Sequence, residues 1–160
     1  GLIECIIEGM PAGVGEPVFD KLDASLAKAV MSIGAVKGVE IGDGFSVTSS
    51  KGSINNDSFI SENGQVLKQT NHSGGILGGI SDGSSIILRA AIKPTPSISQ
   101  PQKTVNTAGE NIEIAISGRH DPVIVPRAVV VVESMAAITL TDLLMQNMTS
   151  RIEYLKNIYL

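Results

Sequence analysis

Arg119-His120-Asp121-Pro122-Val123-Ile124-Val125-Pro126-Arg127-Ala128 leads into Val129-Val130-Val131-Val132-Glu133-Ser134-Met135 and an apolar run that lasts to Met148. The four valines favour extended structure, whereas Met135, Ala136, Ala137, Leu140, Leu143 and Leu144 favour helix, and no turn residue separates the groups. A long helix over roughly Arg127 to Met148 is therefore predicted, with two guanidinium groups, an imidazole and a carboxylate gathered at its start. Apolar residues occupy nearly every face of it, so it is expected to pack on several sides or at a subunit contact. Its length approaches a membrane span, but Glu133, Asp142 and several Ser, Thr and Gln residues argue against that reading, because charges are costly at membrane depth.

Around this stretch the composition is that of one ordinary folded unit covering residues 1–160. With 42% apolar and 18% charged residues the chain is globular rather than disordered. The net charge of −4, spread without blocks, leaves no electrostatic footprint for nucleic acid. The single cysteine, Cys5, permits no intramolecular disulfide, sits in an apolar run and is expected in the core. No charged leader precedes an apolar segment, and Gly1 in place of Met is read as a hint of a longer polypeptide.

Upstream, Leu2 to Ile7 reads as a strand and Met10-Pro11-Ala12-Gly13-Val14-Gly15 as a loop. After Glu16-Pro17, the residues Phe19, Leu22, Leu26, Val30 and Ile33 form a helical stripe that Gly34 can stop. Val36 to Ile41 and Phe45 to Ser49 are predicted as two strands joined by Gly42-Asp43-Gly44. The polar stretch Ser50 to Thr70 is expected to be an exposed, mobile excursion, with Asn63-Gly64 turning a hairpin between Ser58 to Glu62 and Gln65 to Gln69. Four glycines fall in the loop Asn71 to Ser81 before a strand from Ser84 to Ile92. The runs Thr104 to Thr107 and Ile112 to Ser117 flank the turn Ala108-Gly109-Glu110. In the tail, Ile152, Leu155 and Tyr159 lie at helical spacing, suiting a surface that something else covers.

Two readings of the Arg119-His120-Asp121 cluster stand side by side. In one, Asp121 or His120 caps the helix and the arginines pair with acids. In the other, arginine offers a planar donor fork for carboxylate or phosphate and Asp121 an acid/base group. Lys93-Pro94-Thr95-Pro96-Ser97 is either a strand end broken by proline or a rigid set of donors for a phosphate or a heterocycle's carbonyls. The glycines at 74, 75, 78 and 79 match neither a dinucleotide fingerprint nor a P-loop. His72 either bonds a ligand or is solvated. With His120 and one cysteine it makes no recognised metal-ligand spacing, so no metal site is expected. No Gly-x-Ser-x-Gly occurs, which removes the nucleophile-elbow hydrolases.

The Arg119 cluster with Glu133-Ser134-Met135 resembles the C-terminal signature of chorismate synthase. Further blocks similar to that family occur in its order: Gly15 to Ala24, Ala35 to Phe45, Asn71 to Ser81 with Gly83, and Lys93-Pro94-Thr95. The family's N-terminal half, including a Gly-Glu-Ser-His-Gly motif and a second catalytic histidine, has no counterpart here. The mild departures, Gly34 before Ala35 and Val123 in place of a frequent cysteine, remove no group the chemistry needs.

What the resemblance implies is an α+β fold, the C-terminal half of a β-α-β sandwich with mostly antiparallel strands and two long helices. It implies a cytoplasmic lyase of the shikimate pathway that converts 5-enolpyruvylshikimate 3-phosphate into chorismate with reduced FMN. NADP is the associated nicotinamide, and the electron donor stays open. The flavin contacts would fall on Gly34, Ala35, Gly78, Lys93, Pro94, Thr95, Pro96, Ser97 and Arg119. Asp121 would be the catalytic carboxylate beside the flavin, and Arg127 a second anion-binding candidate. A homotetramer is implied, with apolar faces covered by the missing N-terminal half and neighbouring subunits, without nucleic-acid or membrane partners. This piece alone is expected to be inactive. The alternatives are a folded, associating fragment that binds no flavin and an unrelated anion-binding domain.

Overall fold

Alternation in Leu2-Ile3-Glu4-Cys5-Ile6-Ile7 turns Ile3, Cys5 and Ile7 inward and Leu2, Glu4 and Ile6 outward, forming strand β1 (Leu2–Ile7). The computed structural model of the chain describes residues 1–118 and 121–159. Helix α1 (Leu22–Met31) follows a loop, and its buried stripe of Leu22, Leu26 and Val30 recurs every four residues along one helical face. Then come β2 (Val36–Ile41), a 3-10 helix (Gly44–Ser49), the single turn α2 (Gly52–Asn55), and the hairpins β3 (Phe59–Glu62) with β4 (Gln65–Lys68) and β5 (Ile76–Leu77) with β6 (Ile80–Ser81). Strand β7 (Ile86–Ile92), the hairpin β8 (Gln102–Val105) with β9 (Asn111–Ile114), the long helix α3 (Val125–Asn147) and α4 (Ile152–Tyr159) complete the chain.

Strand β7 lies between β1 and β2 in a three-stranded antiparallel sheet. Its inward residues Ile86, Leu88, Ala90 and Ile92 are buried under α1 and α3, which pack on each other and on the sheet. Val132, Ala136, Leu140 and Leu143 supply the contribution of α3 to that core. Burying one such Leu or Ile side chain contributes roughly 1.5–3 kcal/mol. By length and composition α3 could cross a membrane, yet its buried stripe lies on this sheet while Val129, Val130, Ile138 and Met145 are exposed. On the far side of the sheet Leu2 and Ile6 are open to solvent. All three phenylalanines, Phe19, Phe45 and Phe59, are exposed, and every buried core side chain among the described residues is aliphatic or Met.

Three expectations need correction. Phe45 to Ser49 forms the 3-10 helix and not a strand. Gly42 and Gly44 have positive φ, and a Cβ at Gly42 would clash with the His72 carbonyl oxygen, so this turn docks on the 71–74 loop instead of reversing the chain. The hydroxyls of Ser46, Thr48 and Ser49 then donate to backbone carbonyls three residues back, competing with a ladder. Helix α1 starts at Leu22, leaving out Phe19, which has φ 57° and is 90% exposed. The Leu22 N–H donates to the Gly79 carbonyl at 2.8 Å and sets that start. In the β8–β9 pair the strands sit nearer the chain start than predicted, because the Asn106 side chain accepts from the N–H groups of Ala108 and Glu110 and draws Asn106 into the turn.

The 50–70 excursion has exposed strands, but its base is anchored by a buried ionic cluster that sequence reasoning missed. The Lys68 ammonium donates to Asp82 Oδ2 at 2.7 Å, Ser73 Oγ at 2.9 Å and Asn71 Oδ1 at 3.2 Å, and lies 3.3 Å from Asp57. The three charged side chains are only 4–8% exposed. Burial pushes the Asp57 carboxyl up, but N–H groups of Ser73 and His72 and the Thr70 hydroxyl outweigh it and hold the group well below the ordinary carboxylate range. Asp82 is likewise held low against burial, by the Lys68 ammonium and the Ser84 N–H.

At the far end of the sheet the Lys93 N–H donates to the Ala35 carbonyl at 2.7 Å, tying the end of β7 to the α1–β2 connection. Ala35 adopts φ 71°, a left-handed conformation that costs a residue bearing a Cβ.

Lys68→Met strands two buried carboxylates and is expected to lower stability by about 3 kcal/mol, measured by urea unfolding at neutral pH. Folded-state carboxyls depressed below the unfolded value of 3.8 contribute stability that is present above it and lost as pH falls through the native values. Unfolding free energy is therefore expected to decline below about pH 4, with Lys68→Met flattening that acid limb. Ala35→Gly relieves the left-handed strain and is expected to raise stability by about 0.5–1 kcal/mol in the same assay.

Candidate functional site

The Ala35–Lys93 hydrogen bond brings two separated stretches to one edge of the sheet, and a cleft of about 350 Å³ opens beside it. Ala35 and Lys37 form one wall, and Lys93, Pro94, Thr95 and Pro96 another. Ile124, the residue before α3, closes the third. The proline-containing segment projects here because proline cannot continue the ladder of β7. Five of the sequence-selected residues, Ala35, Lys93, Pro94, Thr95 and Pro96, thus meet in one place. Gly34 directly precedes Ala35, and Ser97 directly follows Pro96.

Lys37 and Lys93, both exposed, border a largely apolar cleft, and no acidic residue is among its described lining. Thr95 Oγ1 is buried without a hydrogen-bond partner among the described residues. An orphaned buried hydroxyl costs about 1–3 kcal/mol, so a polar ligand atom that reaches it recovers that amount. Pro94, Pro96 and Ile124 add aliphatic surface suited to the body of a flat heterocycle. These groups fit a flavin mononucleotide: charge for its phosphate, a donor for a polar edge, and apolar walls for its ring.

Asp121 stands three residues before Ile124 in sequence and is not among the residues lining the cleft. Its carboxylate pairs with the Arg127 guanidinium at 2.5 Å, with side chains 45% and 79% exposed. The capping alternative raised for Asp121 finds no counterpart, since α3 has no side-chain cap. The arginine–acid pairing is what the structure shows for Arg127. The Arg119 and His120 assignments lie outside the described residues.

Gly78 is not brought to the cleft. It occupies the β5–β6 turn, whose Gly79 carbonyl receives the first N–H of α1, whereas Ala35 lies beyond the last turn of α1. Ten helical residues, about 15 Å, separate the two ends. His72 is partly buried and away from the cleft, its Nδ1 pairing with Asp43 Oδ2 at 2.7 Å and its backbone N–H donating to Asp57 at 2.8 Å. Cys5 is half-buried at the core edge, and burial, with Glu133 nearby, pushes its thiol pKa up.

Sequence reasoning also missed Lys37 as a lining residue. The adjacent Gly38 was the available signal, because a glycine inside a strand often marks a bulge.

The family model described as chorismate synthase matches residues 1–145. Chorismate synthase of Lachnoclostridium phytofermentans is 69% identical over 160 residues, covering 99% of this chain and 44% of the relative. That of Agathobacter rectalis is 63% identical over 159 residues, covering 99% of this chain and 43% of the relative. That of Methanococcoides burtonii is 60% identical over 143 residues, covering 89% and 39%. A crystal structure of chorismate synthase superposes with a TM-score of 0.75 at 33% identity, covering 93% of this chain and 38% of that one. This chain spans less than half the length of these relatives, and its mixed helix and antiparallel-strand architecture is the predicted α+β fold. The chain belongs to the chorismate synthase family.

Proposed function

We propose that this chain forms part of a chorismate synthase that converts 5-enolpyruvylshikimate 3-phosphate into chorismate, a cytoplasmic step of the shikimate pathway. The observation that carries this reading is the convergence of Ala35 with Lys93, Pro94, Thr95 and Pro96 on one cleft that Lys37 also borders, Thr95 holding an unpartnered hydroxyl. Overall the substrate loses phosphate and a proton in a 1,4-elimination, with no net oxidation. Reduced FMN, when bound, would supply electron density for breaking the carbon–oxygen bond.

In this reading Lys93 balances phosphate charge, Thr95 donates to a polar edge of the ligand, and Pro94, Pro96 and Ile124 keep water from one face of the ring. Gly34 and Ala35 bring backbone close to the cofactor, and Ser97 extends the donor set. Arg119 adds a guanidinium. Asp121 would be the carboxylate that holds and moves a proton beside the flavin, oriented by its pair with Arg127. Gly78 is a flavin contact by family resemblance alone, since it lies at the other end of α1, and the homotetramer is likewise proposed from the family. The remaining substrate contacts come from the polypeptide that the longer relatives carry beyond this match.

Titration of the folded full-length polypeptide with FMN, followed by absorbance, is expected to perturb the flavin spectrum. Flavin spectra unchanged by a folded protein would overturn the reading in favour of a non-enzymatic scaffold. Asp121→Ala is expected to lower turnover at least 100-fold while FMN affinity stays within a few-fold. Because the Asp121–Arg127 pair is exposed, the same change is expected to shift stability by under about 1 kcal/mol. Phosphate binding that survives Asp121→Ala in a protein with no flavin affinity would mark an unrelated anion-binding domain.

A further inference from the structure

Lys37 has an unusual position in its strand. Val36 pairs with Ile92 and Gly38 with Ala91, so Lys37 is an extra residue opposite no partner, the signature of a β-bulge. A bulge releases a side chain from the regular in-and-out alternation and re-aims it. Here Lys37, in β2, and Lys93, just past the end of β7, line one cleft.

Neither ammonium makes an ion pair or a side-chain hydrogen bond among the described residues. The nearby acids are already engaged: Glu40 with Arg89 and the Phe45 N–H, Asp121 with Arg127. Two unneutralised lysines bordering one cavity favour a dianion over a monoanion there. A phosphate monoester carries that charge and has oxygens enough for both ammoniums, and Thr95, with its unpartnered hydroxyl, belongs to the same lining. A lone carboxylate carries only one charge.

We propose that Lys37 is a ligand-binding residue of this cleft, closing with Lys93 and Thr95 on the phosphate group of a phosphate monoester. The proposal rests on the reading of the cleft as a flavin and substrate site. Two ligands of that site carry such a group, the flavin mononucleotide and the phosphorylated substrate.

The test compares Lys37→Met, Lys37→Gln and Lys37→Arg with the unaltered full-length polypeptide, each first shown to be folded by its urea midpoint. Binding of FMN and of riboflavin, which lacks the phosphate, is read by flavin fluorescence. Binding of inorganic phosphate is read by phosphorus NMR line broadening. Loss of FMN affinity by about 10- to 100-fold in Met and Gln variants, with riboflavin unaffected and Arg near the original, assigns Lys37 to the flavin's phosphate. Unchanged FMN affinity with a similar rise in substrate KM and little change in kcat assigns it to the substrate's phosphate. Equal loss for FMN and riboflavin, or no change for any of the three phosphates, overturns the proposal. If the unaltered protein binds no flavin yet broadens the phosphate signal in a Lys37-dependent way, Lys37 keeps its role and the flavin reading falls. If it binds neither, both fall.

Discussion

Strand β7 is hydrogen-bonded along both edges, and that pairing dictates where everything else can go. Its register with β1 and β2 places Ile86, Leu88, Ala90 and Ile92 toward the helices. A slip of one residue would turn those side chains to the open face and bring Arg89 into the core. On the open face Arg89 is flanked by Glu4 and Glu40 as cross-strand neighbours, so charge pattern and apolar pattern specify one alignment. The end of β7 then delivers Lys93 to Ala35, and the cleft exists because that strand stops where proline stops it.

How far the fold could be read from sequence followed how local each signal was. Strands β1 and β2, the Asn63-Gly64 hairpin and the long helix were legible because period-two alternation, turn residues and sustained helix formers act over neighbouring residues. Phe45 to Ser49 misled because its residues suit a strand, while the deciding contact is between Gly42 and a loop thirty residues away. Phe19 misled because its spacing fits the stripe of α1 although a left-handed backbone excludes it from the helix. The cluster around Lys68 was illegible for the same reason. Asp57, Lys68 and Asp82 are ordinary polar residues in sequence and become a buried ionic hub only once two loops and a hairpin converge.

At the site, family resemblance selected residues that physics alone left ambiguous. Proline content gave the Lys93 corner either of two readings, and the cleft now shows that its side chains converge with Ala35. Resemblance gave no warning that Gly78 stands at the opposite end of α1. Lys37 was passed over because it sits within a strand, where alternation suggests a solvated side chain, and a bulge is visible only in the pairing.

The exclusion of aromatic rings from the core has an optical consequence. There is no tryptophan, the phenylalanines lie outside, and both tyrosines fall in α4, at the chain's end. Intrinsic ultraviolet emission therefore tracks the terminal helix and is silent about the aliphatic interior. A melting curve recorded by tyrosine light would describe the detachment of that helix, while amide circular dichroism would describe the sheet beneath.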